Sequence, residues 1–341
     1  MRIAIDLSGD YVNEVIHGIM LAIERGYVLP GQIAVVGTAE AIESMKRLKK
    51  LACLDSYPCA EQIGMGEKFS FETRNKDCSI VRAMNGLKDN HFDCFLSAGN
   101  SAIITSLATV MLGRTARGIF PAIAVTMPNV FGRCLLLDVG ANANSAPKDL
   151  LHNAQMGSIY AEQHLGISRP KIGLINIGEE AGKGNANVHA AHELLSKSGL
   201  NFIGYIEGRD IFLGEVDVAV TDGFTGNNIL KSNEGLVKML YGAAKEEFKK
   251  SRWSYAALPF LICALPFLLP MIMKLKKRFD YKEFGGGLLL GVNGDVEILH
   301  GRSKRKAIAL AIREAAKGDK SKASKLIASE MARKHKPPED A

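Results

Sequence analysis

Short apolar strands run into knots of glycine and asparagine five times along this chain. The knots are Phe95-Leu-Ser-Ala-Gly-Asn100, Leu135-Leu-Leu-Asp-Val-Gly-Ala-Asn142, Ile175-Asn-Ile-Gly178 with Lys183-Gly-Asn185, Thr221-Asp-Gly-Phe-Thr-Gly-Asn227, and Leu289-Leu-Gly-Val-Asn-Gly294. Four of them open onto helix-like segments. A strand that ends on glycine at a helix N-terminus exposes backbone N–H groups and lets an anion approach closely. Several such ends at one edge of a parallel sheet would form a crevice for oxyanions and phosphates. Backbone near Gly99, Gly140 and Gly178 is expected to bind anion oxygens, while the amides of Asn100, Asn142 and Asn185 orient substrate. Each knot alone is also what an ordinary turn looks like. The set points to a site, with Lys183 inside one knot and Arg209 in Glu207-Gly-Arg-Asp210.

Other chemistries lack their signatures. There is no Gly-x-Gly-x-x-Gly after the first strand, no Walker-type Gly-Lys-Ser/Thr and no Gly-x-Ser-x-Gly elbow. The six cysteines show no Cys-x-x-Cys or Cys/His ligand spacing, so no metal or cofactor is expected, and they read as buried filler in a reducing cytoplasm. Met1-Arg-Ile-Ala-Ile-Asp6 reads as a strand and turn, so no secretory leader is expected. The formal charge is +7, with basic clusters at 274–278, 302–306 and 317–336. Those clusters lack interleaved aromatics, which argues against nucleic acid.

These residues need a frame to hold them. With 341 residues, 47% of them hydrophobic and 34 glycines, the chain can fold around a large core. Strands are expected at 2–6, 32–37, 92–97, 122–126, 134–139, 171–177, 202–206 and 216–221. Helices are expected at 12–25, 40–50, 80–87, 103–112, 149–165 and 186–197. The stretch 51–75 is the least legible and reads as loop or lid. This alternation predicts an α/β fold, a doubly wound three-layer α/β/α sandwich. It forms a single domain over 1–318, followed by a solvated tail at 319–341.

One segment does not suit such a domain. Residues 253–273 carry no charge, but Pro259, Pro266 and Pro270 argue against a clean spanning helix. The glycine-rich strand pattern also resumes after 278. A bent excursion over 251–279 that touches a membrane and returns is the preferred reading, against oligomer or core packing and a true span. Trp253, Leu258, Phe260, Leu261, Phe267 and Leu268 would face the interface, with Lys276, Lys277 and Arg278 on anionic headgroups.

Taken in order, Ser97-Ala-Gly-Asn100, Leu137-Asp-Val-Gly-Ala-Asn142, Met156-Gly-Ser-Ile-Tyr160, Asn176-Ile-Gly-Glu-Glu180 with Lys183-Gly-Asn185, Ile203-Gly-Tyr-Ile-Glu-Gly-Arg-Asp210, Asp222-Gly-Phe-Thr-Gly-Asn227 and Asn293-Gly294 carry a resemblance. The chain resembles the bacterial phosphate acyltransferase family (PlsX) from about residue 1 to 315. The resemblance implies a fold similar to phosphotransacetylases and isocitrate-type dehydrogenases, a homodimer, and a peripheral place on the cytoplasmic face of the membrane. It implies acyl transfer from acyl carrier protein to orthophosphate in phospholipid synthesis, feeding a glycerol-3-phosphate acyltransferase. The sequence departs from the family's pattern mostly at 65–80, where only Arg74, Lys76 and Ser79 remain of a longer motif. Smaller departures are the shortened turn Asp6-Leu-Ser-Gly-Asp10, Ser101-Ala102, Asn142-Ala-Asn144 and Gly287-Leu288.

Phosphate is already nucleophilic at neutral pH, so no activated serine or cysteine is required. Lys183 is expected to meet phosphate or the developing oxyanion. Arg209 is either its helper or a structural ion pair with Glu207, Asp210 or Asp222. Asp6 and Asp138, at strand ends, orient donors, act on the leaving thiol's proton, or simply cap turns. Asp222 and Asn227 belong to the fourth knot. Of the histidines, His152, His189 and His192 read as structural, and His300, after a strand, is the substrate-side candidate. The basic residues at 302–306 or 274–278 could guide an acidic carrier protein. Two other readings stay open: a soluble phosphotransacylase using acyl-coenzyme A, and a catalytically weak membrane scaffold for lipid-synthesis enzymes.

Overall fold

The computed structural model describes residues 1–250, 264, 266–271, 273–274, 286–299 and 303–334. The expectations for Trp253, Leu258, Phe260, Leu261, Lys276, Lys277, Arg278 and His300 lie outside the described residues. Among those described, no helix is long and apolar enough to cross a membrane.

The strands are β1 (Ile3–Asp6), β2 (Ile33–Thr38), β3 (Asp55–Cys59), β4 (Cys94–Ser97), β5 (Ala122–Pro128), β6 (Arg133–Leu137), β7 (Ile172–Ile175), β8 (Phe202–Ile206), β9 (Val218–Val220), β10 (Gly287–Leu290) and β11 (Val296–Ile298). They form one sheet in the order β3-β2-β1-β4-β11-β10-β5-β6-β9-β7-β8. Every residue of β1, β4 and β7 is buried, as strands covered on both faces must be. Side chains alternate accordingly. Ile3 and Ile5 pack in the core cluster that holds Ile16 and Ile19 of α1 (Val12–Glu24) and Ile308 of α9 (Arg305–Ala316). Ala4 faces the cluster that holds Met84 of α3 (Ser79–Lys88) and Ile104 of α4 (Ser101–Met111).

The sheet is not uniformly parallel. β11 runs with β4, but the β11–β10, β10–β5 and β5–β6 pairs are all antiparallel. β6, β9, β7 and β8 then run parallel to one another. Strand direction therefore reverses between β4 and β6. The first knot and the second, third and fourth leave opposite edges of the sheet, and the single shared edge expected from sequence is corrected. The loops meet instead across the face of the central strands.

Two further differences have plain causes. Part of the 51–75 stretch is the edge strand β3, disguised by its exposed Asp55 and by Pro58, which an edge strand tolerates. Residues 319–334 are not a solvated tail. They form α10 (Asp319–Lys334), whose Ile327 and Met331 are buried at 1% and 0% exposure in the cluster containing Leu150 and Ala154 of α5 (Pro147–Tyr160). Those two apolar residues lie one helical turn apart on a single face, so the lysines around them dominate the composition without preventing docking.

Candidate active site

The loops converge on the first turns of α8 (Gly223–Lys250). Asp222 Oδ1 accepts the Thr225 N–H at 2.7 Å and caps the helix. Gly226 lies so close to the carbonyl of Asp138 that any Cβ there would collide with it. The close approach seats α8 on the turn after β6, and it requires glycine. That turn is organised by Asp138, which is fully buried. Its carboxylate accepts N–H groups from Ile123, Gly140 and Ala141 at 3.0 Å each and from Asn142 at 2.6 Å. Burial raises its pKa against the lowering effect of those donors. Asp138 therefore builds the turn, as its capping alternative requires, with its carboxylate taken up by four backbone N–H groups. Gly140 has φ 135, a conformation that favours glycine.

Three cavities surround these turns. The smallest, about 260 Å³, lies on the face of β5, where Ile123 and Val125 both point. Gly99, Gly140, Asn227 and Gly287 also line it, so it joins parts of the first, second and fourth knots. Lys231 is the one charged residue among its described lining. Sequence reasoning missed Lys231, although it stands one helical turn after Asn227 and so shares its face.

The second cavity, about 310 Å³, is walled by amides: Asn144, Asn176, Asn185 and Asn187, with Ser145, Thr221 and Thr225. Asp222 is the only charged residue among its described lining. Asn185 caps α6 (Ala186–Ser196) by accepting the Val188 N–H at 3.0 Å. Asn176 Nδ2 donates to the Lys183 carbonyl at 2.7 Å. The Lys183 ammonium is beside the cavity wall and not in it, paired with Glu180 Oε1 at 2.9 Å and 48% exposed. Its side chain lies over Gly178, where an added Cβ would come 2.5 Å from Lys183 Cδ. Of the residues expected from sequence, Asn185 lines this cavity with Gly178 and Lys183 beside it, and Gly99, Gly140 and Asn227 line its neighbour. The convergence of all knots on one anion is corrected. The fifth knot joins neither cavity: Asn293 Nδ2 donates to the Arg114 carbonyl at 3.0 Å, at the opposite end of β10.

The third cavity is an apolar groove between α7 (Asp210–Leu213) and α8. Arg209 stands on its rim, 66% exposed, 3.4 Å from Glu207 and 3.6 Å from Asp210. The ion-pair alternative for Arg209 is the one seen.

Other expected site residues have structural employment. Asn100 caps α4, accepting from Ala102 and Ile103 N–H, and its Nδ2 donates to the carbonyls of Met65 and Glu67 at 3.0 Å each. Both of its donor hydrogens are in use, so the expected catalytic amide is instead an anchor for the divergent 65–80 loop. That loop nevertheless reaches the site through Met65, which lines the smallest cavity. Asp6 is 1% exposed and accepts from Ser8 N–H and the hydroxyls of Ser8 and Ser97, tying β1 to β4. Burial raises its pKa, opposed by those hydroxyls. Asn142 Oδ1 accepts the Asn144 N–H at 3.3 Å, and the Asn142 carbonyl accepts the Gly223 N–H at 2.8 Å. Among the described residues no group of three or more His, Cys, Asp or Glu is placed to hold a metal ion.

Comparisons with known proteins agree with this frame. The chain is 43% identical over 324 residues to a phosphate acyltransferase of Heliobacterium modesticaldum, covering 93% of this chain and 94% of that one. It is 40% identical over 333 residues to a phosphate acyltransferase of Campylobacter jejuni, covering 97% and 98%. The fold is similar to that of a branched-chain phosphotransacylase from Enterococcus faecalis, with TM-score 0.56 at 13% identity over 94% of this chain and 99% of that one. A phosphotransacetylase from Streptococcus pyogenes gives TM-score 0.55 at 17% identity over 94% of each chain. The model of the family described as fatty acid synthesis protein matches residues 1–325. With strands, knots and cavities in that order, the chain belongs to this family, that of the phosphate acyltransferases.

Proposed function

We propose that this protein transfers the acyl group of an acyl-carrier-protein thioester to orthophosphate, releasing acyl phosphate and free carrier thiol. The observation that carries the reading is the meeting of two polar cavities on one helix start, one edged by a lysine and the other walled by amides. Orthophosphate occupies the cavity of Gly99, Gly140 and Asn227, drawn by the Lys231 ammonium and oriented by the Asn227 amide. The thioester carbonyl lies toward the asparagine-walled cavity. A phosphate oxygen adds to the carbonyl carbon, and the tetrahedral oxyanion is met by amide donors and by the Lys183 ammonium, which exchanges Glu180 for it. The carbon–sulfur bond then breaks and the sulfur leaves as thiolate. Arg209 and the basic residues near 304–306 favour an acidic carrier protein.

The protein acts as a homodimer at the inner face of the cell membrane, handing acyl phosphate to a glycerol-3-phosphate acyltransferase. Apolar side chains of the excursion support membrane contact: Phe267 is 85% exposed and Met271 53%. Flotation with anionic liposomes, before and after deletion of 253–273, tests it.

The deciding assay mixes purified protein, palmitoyl-acyl carrier protein and orthophosphate, and measures acyl phosphate and released thiol. Absence of both across several chain lengths, with folded protein, overturns the reading in favour of a scaffold. Full activity with acyl-coenzyme A and none with carrier protein moves the donor assignment.

A further inference from the structure

We propose that the groove between α7 and α8 seats the acyl chain, and that Ile229 and Leu236 set the chain length the enzyme accepts. The inference rests on the acyl-transfer reading above and adds the subsite that reading leaves open. The groove has a volume of about 970 Å³, at the upper end of ordinary ligand sites of roughly 300–1,000 Å³. Its walls are Phe212 of α7 and Phe224, Ile229 and Leu236 of α8.

Two features match an amphiphile lying lengthwise. The first is adjacency: Thr225 lines both this groove and the asparagine-walled cavity, so the groove begins beside the place where the carbonyl lies. The second is direction. Thr225, Ile229, Ser232 and Leu236 follow one another at spacings of four, three and four, which puts them on one helical stripe. The inner part is fixed, because Phe212 and Ile229 pack against the main core. The outer part is apolar and open, with Phe224 67% and Leu236 51% exposed. At a rise of about 1.5 Å per residue the stripe is roughly 16 Å long. With carbon–carbon bonds of about 1.5 Å, that length holds a chain on the order of a dozen carbons. Arg209, at the rim, is the only charged residue in the described lining, and the polar groups along the stripe, the Thr225 and Ser232 hydroxyls, are uncharged.

The test compares palmitoyl and butyryl thioesters as donors to phosphate in the full-length protein and in Leu236→Asp and Ile229→Trp. Each buried methylene is worth about fourfold in affinity. A charge at 236, or bulk at 229, should therefore lower palmitoyl kcat/KM by on the order of 10²-fold and leave butyryl transfer within about twofold. Equal losses for both donors, or no change for either, in variants with the wild-type circular dichroism spectrum overturn the assignment. An unchanged donor ratio in a Leu236→Asp protein of half the wild-type mass also overturns it, because the face is then a contact between copies. If the wild type transfers neither chain to phosphate, the acyl-transfer reading fails by itself. Anisotropy of a pyrene-labelled long-chain fatty acid then decides the groove: weaker binding to Leu236→Asp supports it, and equal binding overturns it.

Discussion

The side-chain amide of Asn176 holds the main-chain carbonyl of Lys183 at 2.7 Å, so the end of β7 fixes the position of the glycine loop that carries the lysine. Removing that tie should disorder the loop without unfolding the sheet. Asn176→Ala is expected to lower phosphate-dependent turnover about tenfold, and Lys183→Ala by ~10²-fold or more, the range for loss of one oxyanion partner. Steady-state assays of acyl phosphate formation check both. Near-normal transfer by Lys183→Ala removes the lysine from the chemistry.

Lys231 should matter for phosphate affinity more than for the chemical step. Lys231→Gln keeps length and polarity but removes the one charge among the described lining of the smallest cavity. The phosphate KM should rise on the order of tenfold with a smaller change in kcat, the signature of lost uniform binding. A phosphate titration at constant ionic strength reads this. A variant whose KM is unmoved places phosphate elsewhere.

Asp6 gives a pH dependence of definite sign. Its pKa is raised chiefly by burial, so the native state holds this proton more tightly than the unfolded chain does. By linkage, its contribution to stability is largest below the ordinary carboxylate range. It declines as pH rises from that range through the raised native value, then stays flat. Asp6→Asn should remove this segment from a profile of urea midpoint against pH. If the variant and the wild type show parallel profiles across the acid range, Asp6 is not perturbed.

The C-terminal helix should contribute measurably to stability. Met331 is wholly buried, and Met331→Ala should cost about 2–4 kcal/mol, as large-to-small core changes do. Urea denaturation measures it. A loss below about 0.5 kcal/mol, the range of surface substitutions, would mean that α10 does not dock.

Much of the frame was legible in the sequence because buried strands announce themselves. The strand expected at 202–206 is β8 itself, and the helix expected at 186–197 differs from α6 by one residue. Elements whose apolar residues are sparse were harder to read. β3 hides behind Pro58 and the exposed Asp55, while α10 hides Ile327 and Met331 among lysines. At the site, the glycines and asparagines were recognisable by type, but their grouping was not. Grouping depends on strand direction, and nothing local in Leu288 or Ile123 discloses that their strands pair antiparallel. Asn100 misled for a related reason. An asparagine before a helix looks the same whether its amide faces a substrate or the carbonyls of Met65 and Glu67.

The seam of the sheet also leaves the ribosome after every other strand. β11 and β10 stand between β4 and β5, although they follow them by more than a hundred and fifty positions. A nascent chain that has emerged only as far as residue 250 therefore carries β4 and β5 with bare edges. Such edges can pair with other chains. Only when 287–298 arrive do the two halves close into one body, so the catalytic face gains its floor only after every other strand has been made.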